Sequence, residues 1–341
     1  MTIIKTRIYA WLPLHKEQNR WFDPELPYSY QDCLQNLLSD LGRTINTLSN
    51  NRINAKVSIS DPSPSIKQII KNLNSAPFFL EIDYTYIKIE CDCLTNWEEL
   101  VDLNKDHPVH KSNIPGFTAC SVSSILTDCL LMIEIAYPSR FNFVKGITTY
   151  RQKAFNYIDN VSGFYRETLF SNDGMWPTIV YIPLIDVSEW INDIKLFESY
   201  SATTPIQRGL ASLTQIIGEE HASEETSLFW AMQGLEAIYC RGKSELRGQL
   251  TEKIQLFIGE WPEPKNIIGK LYDLRSAFVH GSFNTCRWNN DIIPIGKGEE
   301  EDSSDLYKAN NLAQRLLLST IQKCITNKIH SLEFNYTLKI N

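Results

Sequence analysis

The fold of the C-terminal half is decided by the stretch Lys265-Asn-Ile-Ile-Gly-Lys-Leu-Tyr-Asp-Leu-Arg-Ser-Ala-Phe-Val-His-Gly281. Its apolar residues recur at the spacing of an amphipathic helix with one buried stripe, formed by Ile267, Leu271, Leu274 and Phe278. Pro262 and Pro264 disfavour helix before it, and Gly281 favours the left-handed backbone that ends a helix. The sequence therefore predicts a helix over residues 265–281.

Arg275 and His280 lie in the last two turns of this helix. At about 100° per residue, Arg275 lies roughly 60° from the centre of the apolar stripe, and His280 points to nearly the opposite side. His280 is therefore not expected in the core. Tyr272, Ser276 and Val279 extend the apolar surface, so a second element must pack there. That element is either a neighbouring helix of the same chain or the same helix of a second chain, which would bring two copies of Arg275 and His280 together.

These residues also carry a resemblance to a known family. Arg275-Ser-Ala-Phe-Val-His280 fits the Arg-x4-6-His signature of the HEPN superfamily. The longer string Leu271-Tyr-Asp-Leu-Arg-Ser-Ala-Phe-Val-His-Gly-Ser282 resembles its Apea-like branch, and Ser227-Leu-Phe-Trp-Ala-Met-Gln-Gly-Leu-Glu-Ala-Ile-Tyr239 is similar to an early helix of that branch. The resemblance covers about residues 205–330 and implies an all-α helical bundle.

The two side chains suit metal-independent RNA cleavage. That reaction needs a group to take the 2′-hydroxyl proton, a group to protonate the leaving 5′-oxygen, and positive charge on the phosphate. A histidine exchanges protons near neutral pH, and an arginine is a permanent forked cation that matches phosphate. Arg275 and His280 diverge by about 140° on one helix, so a compact site is hard to build from one chain. Pairing two helices would supply both groups.

The resemblance implies the same arrangement. HEPN ribonucleases typically act as dimers, with the arginine and histidine of both protomers facing a shared cleft, without metal or cofactor. Carried over, the resemblance assigns phosphate binding to Arg275, the acid or base role to His280, and an auxiliary donor role to Ser276. Ser276 departs from the Asn, Asp or His of many members. Ser282 stands where toxins controlled by a nucleotidyltransferase partner have tyrosine, so that control is not predicted.

Four further residues complete the expected site. Glu236 and Asp273 are the candidates to pair with Arg275 and orient it, although the sequence favours an ordinary surface ion pair for each of them alone. Lys270 and Arg287 are expected to contact RNA, because basic residues are locally in excess although the net charge is −7. The alternatives are solvated helix faces with mixed charge and, for Arg275 and His280, basic residues that merely complement the helix dipole.

The sequence therefore predicts a metal-independent endoribonuclease of HEPN type, a homodimer through the 265–281 helix that acts on RNA such as tRNA or mRNA. The resemblance suggests an RNA-degrading effector of bacterial antiphage defence or toxin-like growth arrest. The alternative is a non-catalytic HEPN module that binds RNA or nucleotide, or that only dimerises.

Residues 1–200 are predicted to form a separate α+β module, and residues 205–341 the helical bundle, so the fold class is α+β. The boundary is placed in the polar segment 199–205. Strand-like alternation occurs in Arg7–Pro13, Ala55–Ser60 and Phe78–Glu90, with helical spacing between them. This module has no phosphate-binding glycine loop, and we expect a sensor or recruitment role that an activating ligand or phage component would engage.

Composition is typical of a soluble globular protein, with 43% hydrophobic and 21% charged residues. The most apolar stretch, Cys129–Tyr137, is interrupted by Glu134 and is shorter than a membrane span, and the first residues carry charge where a signal peptide is apolar. We therefore expect a cytoplasmic location and no membrane partner. The eight cysteines fit reduced thiols.

Cys91 and Cys93, with His107 and His110, form the one grouping that suggests zinc. Their spacing matches none of the usual zinc-ligand pairs, and both cysteines fall in an alternating strand-like run. The sequence therefore predicts two ordinary cysteines on one strand face and no metal site.

Overall fold

A computed structural model describes residues 2–15, 29–74, 84–105, 109–159, 176–196, 201–218, 223–242, 244–260, 267–282 and 299–334, without the side chains of 299–305. The chain divides into two compact units. The first comprises Met1–Gly163 and Tyr181–Glu189, and the second Phe164–Val180 and Trp190–Asn341.

The second unit begins before the boundary expected at 199–205. Trp190 donates its indole N–H to the carbonyl oxygen of Ile329 over 2.9 Å, and Gln207 donates its side-chain N–H to the carbonyl oxygen of Ile194 over 2.8 Å. These contacts join residues 190–194 to the helical unit.

The first unit contains a five-stranded antiparallel sheet in the order β2-β3-β1-β4-β5. On β1, alternate residues are fully buried on one face, because successive side chains of a strand point to opposite sides. Ile8, Ala10 and Leu12 are 0% exposed. The strands are β1 Ile3–His15, β2 Ile53–Ile59, β3 Tyr84–Asn96, β4 Gly146–Tyr150 and β5 Lys153–Ile158.

Helices α1 (Tyr30–Leu48) and α4 (Ile114–Ala136) cover that buried face. Strands β1 and β2 both run antiparallel to β3, which lies between them, so β1-α1-β2 is a split β-α-β unit. Helix α2 (Pro64–Leu73) is inserted before β3 and packs on the opposite face, where Ile66 and Ile70 contact Trp11 and Ile147. Helix α3 (Trp97–Leu103) follows β3.

Helix α4 is longer than the apolar stretch Cys129–Tyr137 noted in the sequence. The helical segment Lys111–Ala136 is the one segment in the described residues that is long and apolar enough to cross a membrane, by length and composition alone. Its most apolar window is 61% buried inside the protein, as in the core helix of a soluble protein. Glu134, 5% exposed, accepts a hydrogen bond from the Ser139 backbone N–H at 2.8 Å.

The second unit is helical in its described residues, which together with the sheet of the first unit confirms the α+β class. Helix α7 packs against α6, α8, α9 and α10. Buried leucines and isoleucines, including Leu213, Leu235 and Leu316, fill the space between them. The helices are α5 Leu184–Asp193, which spans the division between the units, α6 Pro205–Gly218, α7 Glu224–Tyr239, α8 Leu246–Ile258, α9 Ile267–Val279 and α10 Glu299–Thr326.

Candidate functional site

The end of α9 is fixed by a hydrogen-bonded cap. Gly281 has φ +70°, the Ser282 N–H bonds the carbonyl oxygen of Ala277 at 2.9 Å, and the Gly281 N–H bonds that of Phe278 at 3.2 Å. These two bonds form a Schellman motif, in which glycine takes the left-handed position. His280 is therefore the last residue before the chain reverses, and it is exposed.

The buried side of α9 is rotated from the predicted stripe. Ile268 and Leu271 are 2% and 1% exposed, whereas Ile267, Leu274 and Phe278 are half-buried. The cause is that α7, α8 and α10 of the same chain all pack against α9. Of the two elements considered for its additional apolar surface, neighbouring helices of the same chain are therefore present.

Arg275 points inward. Its Nη2 donates a hydrogen bond to Oε2 of Glu236 on α7 at 3.3 Å, and the two side chains are 20% and 16% exposed. The guanidinium carbon lies 5.8 Å from the ring centroid of Phe229, within the range of a cation–π contact. Phe229 and Glu236 are seven residues apart and share one face of α7, so together they position Arg275.

This ion pair is incompletely hydrogen-bonded. Nε of Arg275 and Oε1 of Glu236 are buried, and neither has a hydrogen-bond partner. The pair therefore uses one hydrogen bond where an arginine and a carboxylate can form two. Burial raises the pKa of the Glu236 carboxyl group, and the positive charge of Arg275 partly opposes that rise.

Asp273 does not orient Arg275 but forms an ordinary surface ion pair, the alternative that the sequence favoured. Asp273 pairs instead with Arg247 on α8, with 3.4 Å between Oδ1 and Nη1, in an exposed ion pair. Two residues along a helix are about 160° apart, so Asp273 and Arg275 lie on opposite sides of α9. The exposed pair contributes little to stability.

The remaining predicted residues on α9 share the outward side with Asp273. Lys270 and His280 are exposed, and Ser276 is half-buried. Together with Asp273 they fall within about 120° of the helix circumference. In the described part of the chain, no hydrogen bond or ion pair joins the side chains of Arg275 and His280. A single chain therefore holds the two groups on different sides of α9.

Comparisons of the chain with protein-family models, with curated proteins and with solved structures find no match. Arg287, expected to contact RNA, lies outside the described residues. Sequence reasoning did not assign Phe229 to the site, although its seven-residue spacing from Glu236 places the two on one face of α7. Arg247 was considered only as part of the local excess of basic residues, not as the partner of Asp273.

Cys91 and Cys93 are buried on the helix-covered face of β3. Burial raises the pKa of both thiols, that of Cys93 to about 12, so both are protonated at neutral pH. A thiolate, not a thiol, is the metal ligand. His107 lies outside the described residues, and His110 is exposed. No group of three potential metal ligands occurs in the described ranges.

Proposed function

We propose that the chain is a metal-independent endoribonuclease of HEPN type, which acts in the cytoplasm as a homodimer through α9. The observation that carries the proposal is that the end of α9 bears both Arg275, paired with Glu236, and an exposed His280 whose backbone is held by the Gly281 cap. This arrangement gives a positioned cation and an accessible proton-transfer group at the end of one helix.

In the proposed reaction, the RNA 2′-oxygen bonds to phosphorus while the bond from phosphorus to the 5′-oxygen breaks. His280 takes the 2′-hydroxyl proton or gives a proton to the 5′-oxygen, and water takes the other role. Arg275 stabilises the negative charge of the phosphate, and Ser276 donates a hydrogen bond. The products are a 2′,3′-cyclic phosphate and a 5′-hydroxyl end.

A dimer is needed because one chain separates the two groups. Arg275 retains one fifth of its side chain exposed, and Val279, next to His280, is an apolar residue that is 46% exposed. Packing this end of α9 against its copy would cover Val279 and bring the partner's histidine towards the open edge of Arg275. Lys270 and Arg287 would then contact the RNA backbone.

The test is cleavage of total RNA and of tRNA by the purified chain, with and without chelator. His280→Ala should lower the cleavage rate by about 10²–10⁴-fold, the size of a lost general acid or base. His330→Ala is the matched control, since His330 is also an accessible histidine of the second unit, 48% exposed and 3.7 Å from Asp193. Equal rates for the wild type and His280→Ala would remove the catalytic assignment.

The shared site has its own test. Arg275→Ala and His280→Ala should each be inactive alone, and mixing them under conditions that exchange subunits should restore cleavage, because one protomer supplies the arginine and the other the histidine. Analytical ultracentrifugation should show a dimer. A monomer that cleaves RNA, or a mixture that stays inactive despite exchange, would contradict the composite site.

The second candidate is a non-catalytic HEPN module that binds RNA or nucleotide, or that only dimerises. It is favoured by the inward position of Arg275, whose guanidinium already serves an ion pair within the chain. This candidate predicts binding or dimerisation without cleavage products.

If the ribonuclease acts in antiphage defence or as a toxin, induced expression should arrest growth with the wild type and not with His280→Ala.

A further inference from the structure

The second face of the sheet in the first unit is only partly covered. Helix α2 packs over one end of it, around Trp11 and Ile147. Beyond this cluster lies a pocket of about 580 Å³, between the start of α2 and the turn that joins β4 to β5. Pockets that bind small molecules have volumes of about 300–1,000 Å³.

Two strand cations line this pocket and are held by neighbouring side chains. Lys88 on β3 lies over the ring of Tyr9, with its Nζ 5.1 Å from the centroid, and pairs with Glu90. Arg7 on β1 donates from its Nε to Asp92 at 2.6 Å. Positioned cations beside aromatic rings suit the phosphates and the flat base of a nucleotide.

The third cation, Arg151, lies at the tip of the β4–β5 hairpin. Arg151 and Gln152 have φ values of 48° and 62°, a left-handed pair of positions at which glycine and asparagine are usual. The Arg151 guanidinium lies over the ring of Tyr150, 5.2 Å from its centroid, and no carboxylate pairs with it in the described residues. A backbone conformation that is unfavourable for arginine and glutamine thus places the unpaired guanidinium of Arg151 at the pocket.

The start of α2 contributes a further positive potential. Ser63, its N-cap residue, lines the pocket, makes no side-chain cap hydrogen bond, and is followed by no acidic residue in the first turn. Pro64 at the first helical position has no N–H, so the N–H groups of Ser65 and Ile66 are those that this helix start offers to an anion. Asp61 is the one carboxylate in the lining, and Lys67 neutralises it at 3.1 Å.

We propose that this pocket binds a nucleotide. Lys88, Arg151 and the first turn of α2 meet its phosphates, and the tyrosine and tryptophan side chains of the lining supply the apolar surface that a base requires. The volume of about 580 Å³ favours a nucleotide over free phosphate. The proposal does not depend on the ribonuclease activity of the second unit.

The test is isothermal titration calorimetry of the full chain with adenine and guanine mono-, di- and triphosphates, inorganic phosphate and a short single-stranded RNA. At least one nucleotide should bind with a Kd below about 1 mM. Arg151→Gln should weaken that binding about ten- to a hundredfold, the usual effect of losing a charge-assisted contact. The matched control is Lys153→Gln, the same charge change in the same exposed hairpin but outside the lining.

Lys88→Gln is the second variant, because it leaves the hairpin unchanged. It should weaken the binding of the same nucleotide. Four results would overturn the proposal. The first two are that no nucleotide binds, or that inorganic phosphate binds as tightly as every nucleotide. The other two are that Arg151→Gln and Lys153→Gln weaken binding equally, or that the RNA binds at Arg151 while the nucleotides do not. Far-ultraviolet circular dichroism of each variant establishes that the fold is retained.

Discussion

Arg275 and Glu236 join α9 to α7 through a single hydrogen bond of 3.3 Å between side chains that are 20% and 16% exposed. Because both charges are largely withdrawn from water, each depends on the other to offset its desolvation. Arg275 therefore stabilises the helical unit in addition to any role with phosphate. The pair also orients the guanidinium on α9.

Replacing Arg275 by methionine should lower the free energy of unfolding by about 1–3 kcal/mol, because Glu236 would remain largely buried without a cation. Arg247→Met is the control, since its pair with Asp273 is exposed, and it should cost less than about 1 kcal/mol. Urea denaturation followed by tryptophan fluorescence measures both. Equal losses would show that the Glu236 pair is no more important than a surface ion pair.

The same variant has an expected pH dependence. Burial raises the pKa of Glu236 above its value in the unfolded chain, so stability from this group falls as pH rises through the interval between the two values. Arg275 limits that rise, and Arg275→Met should therefore steepen the loss of stability above about pH 4.5. Adding Glu236→Gln should remove the extra dependence.

The position of His280 should depend on Gly281. Its φ of +70° strains any residue with a Cβ, so Gly281→Ala should cost about 1 kcal/mol and misplace the preceding histidine. Gly281→Asn should cost less, because asparagine tolerates the left-handed region. Thermal unfolding and RNA cleavage of the two variants check this, and a larger loss in the asparagine variant would contradict it.

The sequence predicted the local features of the site well. Gly281 indicated where α9 ends, and apolar spacing indicated the helix itself. The buried side was misplaced by one residue, to Ile267 in place of Ile268, because three helices pack around α9 and no single stripe meets them all. Asp273 could have been rejected as a partner of Arg275 from helical geometry alone.

The remaining features depend on contacts between distant residues. The alternation of apolar and polar residues indicated strands. The order of the strands in the sheet, however, depends on pairing between β1 and β3, which lie far apart in the chain. The segment 190–196 joins the helical unit through Trp190 and Ile329, which local composition does not reveal. The pocket beside Arg151 was missed because its residues come from separate strands and a turn.

Asp128 on α4 also makes the stability of the protein depend on pH. Burial raises its pKa from 3.8 to about 6, so its contribution to stability is lost as pH rises from about 4 to about 6. At about 1.36 kcal/mol per pKa unit, Asp128→Asn should stabilise the chain by up to about 3 kcal/mol at pH 7 and hardly at all at pH 4. The exposed Asp102→Asn is the control, and an equal gain at both pH values for Asp128→Asn would refute the assignment.

Helix α6 approaches α7 closely at Gly209. A Cβ on Gly209 would lie 2.4 Å from Cδ1 and 2.7 Å from Cγ1 of Ile238, so Ile238 would have to move within a packed core. Gly209→Ala should therefore lower the free energy of unfolding by about 1–3 kcal/mol. Gly248→Ala on α8 is the control, and its effect should have the opposite sign. No atom lies within 4 Å of a Cβ at that position, so alanine there should stabilise the helix by about 0.5–1 kcal/mol. Chemical denaturation of the two variants should give shifts of opposite sign, and a gain from Gly209→Ala would mean that α6 and α7 are less closely packed than the structure shows.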